Sequence, residues 1–221
     1  MKNKDKLHIL NGQVMYEHFQ KSRFLKDEVM VPFNEAMCYG ETIKEIFSNR
    51  FIRTRAKVHH VTVNDYKEVA LKPLQPLFDQ QFGHIELWFD EDMFCQINIL
   101  TILGWLDQEN YLHTIKLHIV DRDFSLVKTF ALKAQGYHKI YKQVLVNKIM
   151  PKQIQLAPLK RGIELYLAYL DQNSDLMTFI QAHKNTPEQE LLTMLLEKFS
   201  HYGLGDIQYL ELIRGDSPPL H

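Results

Sequence analysis

Carboxylates beside amides and a thiol form the most chemically suggestive grouping in this chain. They are concentrated in residues 86–98, ELWFDEDMFCQIN. Asp90, Glu91 and Asp92 stand between an apolar run and a helical pattern of apolar residues, with Cys95, Gln96 and Asn98 just after. Such carboxylates can serve as general bases, orient a polar ligand or coordinate a hard cation. They also have a plainer use. An Asp at a helix N-cap accepts bonds from unpaired backbone N–H groups and contributes about 1 kcal/mol; acids in the first turn add about 0.3–1 kcal/mol through the helix dipole. Capping accounts for one or two of the three, while a third adds repulsion that capping does not explain. Gln96 falls four positions after Asp92, on the same helical face. A buried amide there needs a partner, either a ligand or the neighbouring backbone.

The elements that must hold these groups can be read from hydrophobic periodicity. Strands are predicted at LHIL (ending in Asn11-Gly12), EVMVPF, HIELWF and TIKLHIVD; SLVKTFALK is either a fifth strand hairpinned onto the fourth or a short helix. Helical spacing marks Val14, Phe19 and Phe24, then residues 41–56 through Ile43, Ile46, Phe47 and Phe51. It continues over 64–82, interrupted by Pro73 and Pro76, and over the stretch after Asp92 to about Leu106. The segment GYHKIYKQVLVNK is also helical in pattern. Strands alternating with helices predict an α/β fold, a mainly parallel sheet flanked by helices. After Pro151 only helical periodicity remains, with Ser174, Thr186 and Asp206 as N-caps. The expected organisation is an α/β domain over 1–150 and a small all-helical C-terminal part over 151–221 packed on it.

In open α/β sheets ligands bind beyond the carboxyl ends of the strands. Asn11, Gly12 and Gln13 follow the first strand, Asn34, Glu35 and Cys38 the second, and Asp90–Asp92 the third. Three polar loops are thus expected to converge on one cleft. Glu35 and Asp92 are the candidate catalytic residues, as general base or ligand-orienting groups. Asn11, Gly12, Gln13, Asp90, Cys95 and Gln96 are the candidate ligand contacts. Magnesium held by Glu35, Asp90 and Asp92 is chemically conceivable, but no metal is assigned and no cofactor is specified.

The stretches HILNG, NEAMCYG and above all LWFDEDMFCQIN resemble the uncharacterised bacterial family known as domain of unknown function 1835. That pattern has a strand ending in Gly-Asp, an Asp or Glu five residues before Gly-Pro, then Leu-Trp-Phe and an Asp-x-Phe-Cys-Gln segment. Gly12, Glu35, Gly40, Leu87, Trp88, Phe89, Asp92, Phe94, Cys95 and Gln96 fall on matching positions. The helical tail, with LAYLDQNSDL and GLGDIQYLELIRG, is similar to the C-terminal segments of such proteins. Gln13 stands where the family more often has Asp, and Glu41 where it has Pro. If the first acid is essential for turnover, this member binds without reacting. The resemblance implies a cleft and no particular reaction.

Charge and motif content narrow the classes. Lys plus Arg is 26 and Asp plus Glu is 27, a net −1, and from Lys148 onward seven basic against nine acidic residues give a net −2. A nucleic-acid binder would be expected to show a basic excess, so nucleic acid is an unlikely partner. No segment approaches the roughly 18 apolar residues of a membrane span, and the N-terminus has no signal-peptide apolar core. With only Cys38 and Cys95 no disulfide framework is built, which fits a cytoplasmic protein. The histidines lack zinc-site spacing, and His59-His60 reads as structural or surface. Cys95 reads as a core thiol, since nearby carboxylates oppose a thiolate. In RFIRTRAKVHH, Arg50, Arg53, Arg55 and Lys57 read as a solvated face. No nucleophile elbow, Walker loop or Gly-rich dinucleotide fingerprint occurs. The expectation is a protein that binds a small polar molecule at its strand ends, as a hydrolase or transferase if it is an enzyme. The alternative is a non-catalytic regulatory or interaction module whose C-terminal helices dock a protein partner or a second copy.

Overall fold

A computed structural model describes residues 3–79 and 82–215. The chain runs β1 (Asn3–Leu10), α1 (Gly12–Ser22), β2 (Glu28–Pro32), a long connection, then α2 (Asn49–Val58) and α3 (Val63–Tyr66). A π-helical turn (Lys67–Leu71) and a 3-10 turn (Lys72–Leu74) lead from α3 into α4 (Gln75–Asp79), so the prolines change the helix type where sequence places them. Then come β3 (His84–Phe89), α5 (Met93–Gln108), β4 (Ile115–Val120), β5 (Leu126–Leu132) and α6 (Tyr137–Tyr141) with its π-helical turn (Lys142–Val146). The C-terminal helices are α7 (Ala157–Tyr169), α8 (Asp175–Ala182), α9 (Glu188–Lys198) and, after a 3-10 turn (Ser200–Tyr202), α10 (Asp206–Arg214). No described helix is long and apolar enough to cross a membrane.

The sheet has the order β2-β1-β3-β4-β5. The first four strands are parallel and β5 pairs antiparallel with β4. This is an α/β fold with helices on both faces, and the segment 125–133 is the hairpinned strand rather than a helix. Leu7 and Ile9 of β1 face the main core while His8 and Leu10 face the other side, all of them buried. On that second face α1 lays Met15 and Phe19 against Leu10, Trp88 and Val120. The buried stripe of α1 is therefore not the one expected: Val14 is 72% exposed and Phe24 57%.

α5 is buried around nearly its whole circumference, with the sheet on one side and α6 and α7 on the other. The crossing with α7 is close because Gly162 carries no side chain. A Cβ there would lie 2.3 Å from Cβ of Gln96. One apolar core continues from Leu87 and Ile97 through Tyr166 to Leu195 and Tyr209, so the C-terminal helices share it with the sheet.

Residues 41–48 are not helical, contrary to their periodicity; Ser48 caps a helix that begins only at Asn49, its Oγ accepting from Phe51 N at 3.1 Å. Side chains meet the backbone groups that a helix would have paired. Tyr141 donates to Ile43 O, and the Gln108 amide serves both Ile46 N and Ile46 O. Phe47 adopts a left-handed φ of 60° just before the helix. Ser174 caps α8 as its sequence suggests. For α9 and α10 the residues at the N-cap are Pro187 and Gly205, one position from Thr186 and Asp206.

Candidate functional site

The strand order places the topological switch point between β1 and β3, where the order of winding reverses, since α1 leaves on one face and α5 on the other. A crevice opens there, at the carboxyl ends. It forms a cleft of about 470 Å³ whose lining includes Asn11, Gly12, Asn34, Glu35, His59 and Phe94. Asn11, Gly12 and Glu35 thus meet as their positions predict. Asn11 is the N-cap of α1, yet its side chain caps nothing: Nδ2 donates to Cys95 Sγ at 2.9 Å. Among the described residues the first N–H groups of α1 therefore have no side-chain acceptor, and no acid occupies the first turn.

Glu35 is buried with a complete set of partners. Oε1 accepts from Arg55 Nη2 at 2.8 Å, His59 Nε2 at 2.6 Å and Ala36 N at 2.8 Å. Oε2 accepts from the Tyr66 hydroxyl and, at a longer 3.4 Å, from Arg55 Nε. Burial alone would raise this carboxyl, but the Arg55 guanidinium and the His59 bond hold it well below the usual carboxylate range. A carboxylate so placed orients its neighbours and has little tendency to take a proton.

Arg55 is fully buried. Its five N–H donors go to the two Glu35 oxygens and to the carbonyls of Ala36, Tyr39 and Glu41. The expected solvated face of α2 fails at this residue. Phe51, Ile52 and Ala56 are also buried, so Arg55 projects from the inward stripe, where only a paired charge is tolerated. That spacing of 51, 52, 55, 56 and 59 is the sequence signal that would have found Arg55 and His59. Tyr66 had no comparable signal. Asn98 completes the support: its Nδ2 donates to Glu35 O and its Oδ1 accepts from Met37 N.

His59 is the member of this network that reaches outward, its side chain 29% exposed. The 2.6 Å approach to the Glu35 carboxylate requires a proton on Nε2, so Nε2 is the donor to Oε1. Among the described residues Nδ1 has no hydrogen-bond partner.

The remaining sequence candidates lie elsewhere. Gln13 is exposed and donates along α1 to Glu17 at 3.1 Å. Asp92 caps α5, accepting from Cys95 N at 2.7 Å. Burial raises its carboxyl to about 6, the bonds from Cys95 working against that and the Asp90 charge adding to it. Asp90 accepts from Glu91 N through Oδ1 at 2.5 Å. Gln96 donates to Asp90 O at 2.8 Å, while its Oε1 is buried with no partner among the described residues. Burial, then the Asp92 charge, push the Cys95 thiol far up, so the thiol form persists. Asp90, Glu91 and Asp92 line a separate groove with Arg122, Arg161 and His201. The single cleft expected from the sequence is two, and Cys95 stands between them, bonded to Asn11 on one side and Asp92 on the other.

Among the described residues no three His, Cys, Asp or Glu side chains are disposed to hold a metal ion. Compared with family models, with curated proteins and with solved structures, the chain matches none of them.

Proposed function

We propose that the protein binds a small polar ligand with an anionic group at the strand-end cleft, and that His59 is the residue that exchanges a proton with it. The observation that carries this reading is the convergence of the uncapped N-terminus of α1 with the Glu35-oriented imidazole in one cleft. Unpaired N–H groups and the positive end of a helix favour an anion. A carboxylate that fixes the Nε2–H tautomer leaves Nδ1 able to accept a proton from water or a substrate hydroxyl, the requirement of a hydrolase or transferase. Glu35, Arg55 and Tyr66 are positioning residues in this reading. Asp92 and Gln96 support α5 from the far side and do not touch the ligand. Cys95 acts through Asn11.

Membership of the family of domain of unknown function 1835 belongs to the same proposal, supported by the concentration of its matching positions around these loops. The competing reading, a docking module built on the C-terminal helices, has less support. Leu191, Leu192, Leu195, Tyr209 and Leu212 turn the apolar faces of α9 and α10 inward.

The test is a thermal-shift screen of wild type, His59→Asn and Asn11→Ala against nucleotides and sugar phosphates. A compound that raises the wild-type melting temperature by several degrees, and both variants by much less, supports the site. No response from wild type, or an equal response from all three, rejects it.

A further inference from the structure

β5 ends the sheet, and its outer edge pairs with no strand among the described residues. All seven of its residues, LVKTFAL, are exposed or half-exposed, with Leu126 54% and Val127 62% exposed. Such an edge presents a row of backbone N–H and C=O groups to any strand that can meet it. Folds ordinarily blunt it with proline, a bulge or several charges. Here Lys128 is the one charge, there is no proline, and the register with β4 is regular from Ile115 to Ile119. The opposite edge, β2, is half-buried to buried along its length and ends in Pro32, so it is less available.

We propose that β5 is a dimerisation edge, through which two copies of this chain pair antiparallel about a two-fold axis at Thr129. Their five-stranded sheets then join into one. The strand is complementary to its own reverse. With Thr129 at the centre, Leu126 stands opposite Leu132, Val127 opposite Ala131 and Lys128 opposite Phe130, so no like charges face each other. The Lys128 ammonium already lies 4.8 Å from the centre of the Phe130 ring in its own strand, and the pairing offers it a second ring. Thr129, bonded to His118 Nδ1 at 2.9 Å, meets its own copy at the axis. Charges match beyond the ladder as well. Lys133 follows the strand at one end, and the turn 121–125 before the other end carries Asp121 and Asp123 against Arg122, all exposed. Antiparallel pairing brings that lysine to that turn, twice by symmetry. One strand pair is smaller than a standard interface of about 1,200–2,000 Å², so the dimer exchanges with monomer at micromolar concentrations.

Sedimentation of the full chain from about 5 to 500 µM, a range that spans weak specific affinities, should show a monomer–dimer equilibrium. Leu126→Lys combined with Val127→Lys should shift it at least tenfold toward monomer. Disulfide trapping reads the register. A Thr129→Cys pair at the axis falls within the Cα separation of about 4.4–6.8 Å that a disulfide needs, whereas Val127 lies opposite Ala131 and away from its own copy. Under mild oxidation Thr129→Cys should give a covalent dimer and Val127→Cys alone little, while Val127→Cys mixed with Ala131→Cys should crosslink. All the substituted side chains are exposed, so folding is not at stake, and Cys38 and Cys95 are buried and do not compete. A wild-type monomer over the whole range would overturn the proposal, as would a dimer indifferent to the two lysines or equal trapping at 127 and 129.

Discussion

Gly203 occupies the only space the Asp92 carboxylate leaves it. A Cβ built on Gly203 would lie 2.3 Å from Asp92 Cγ and 2.5 and 2.6 Å from its two oxygens. The glycine also has φ +67°, a conformation L side chains rarely adopt. A residue from the C-terminal turn therefore closes over the N-cap of the central helix, which ties the two parts of the chain together at one carboxylate. Gly203→Ala should lose about 2–4 kcal/mol, from the left-handed backbone and from overpacking. Urea unfolding measures it, and a midpoint equal to wild type would show that the turn does not close on Asp92.

Asp92→Asn should stabilise the protein at pH 8. The folded-state value of about 6 lies above the ordinary value of 3.8, so the folded state holds the proton more tightly than the unfolded chain. The favourable contribution is present at low pH and is lost as pH rises from about 4 through 6. Above that range the buried charge costs on the order of 3 kcal/mol, while Asn still caps. Urea midpoints at pH 4 and pH 8 provide the check: the advantage of the variant should be large at pH 8 and small at pH 4.

Arg55→Met should destabilise by about 3–5 kcal/mol, because it strands a buried carboxylate and frees three carbonyls of the 36–41 loop. Adding Glu35→Gln should recover part of that loss. Strict additivity of the two losses in a double-mutant cycle would contradict the pairing at 2.8 Å. The acid response has a definite sign. Glu35 is held low in the fold, so its contribution is present above the unfolded carboxyl value and is lost as pH falls through the folded one.

The architecture is legible because it depends on alternation and β-branched runs, which are local. HIELWF and TIKLHIV could hardly be anything but strands, and Asp92 before Met93 is an N-cap by type and place. The 41–48 segment is not legible. Its apolar spacing is helical, but Arg55, Tyr141 and Gln108 pair its backbone from 14 or more positions away, information periodicity does not contain. For the same reason Asp92 and Gln96, on the expected face of α5, do not open on the Glu35 cleft. Which face of α5 meets solvent is decided by α7 and the Gly203 turn, elements whose docking the sequence does not announce. Arg55 escapes for a different reason. A basic residue is assigned to solvent by its type, although its position in the stripe of Phe51, Ile52 and Ala56 points inward.

A last prediction concerns the second face of the sheet, where Trp88 is held between two imidazoles. Its Nε1 donates to His8 Nδ1 at 3.0 Å, and its ring stacks on His118 at 4.1 Å. The Trp88 bond fixes the His8 proton on Nε2, which meets Glu28 at 2.7 Å. His118 meets Glu86 at 2.9 Å. Lys6 lies 3.4 Å from Glu28 and 3.5 Å from Glu86, and Lys116 3.5 Å from Glu86, so two ammonium groups already balance the two carboxylates. Burial, exceeding the pull of the glutamates, lowers both histidines. A depressed histidine means the unfolded chain takes the proton first, so this contribution to stability is present above pH 6.5 and declines as pH falls below it. Protonating His8 must also break the Trp88 bond, because Nδ1 ceases to accept. In a Trp105→Phe background, Trp88 emission should therefore change in a single step below pH 6.5, before acid unfolding sets in. His8→Gln should remove most of that step. A flat emission profile down to acid unfolding would mean that His8 does not titrate in the fold.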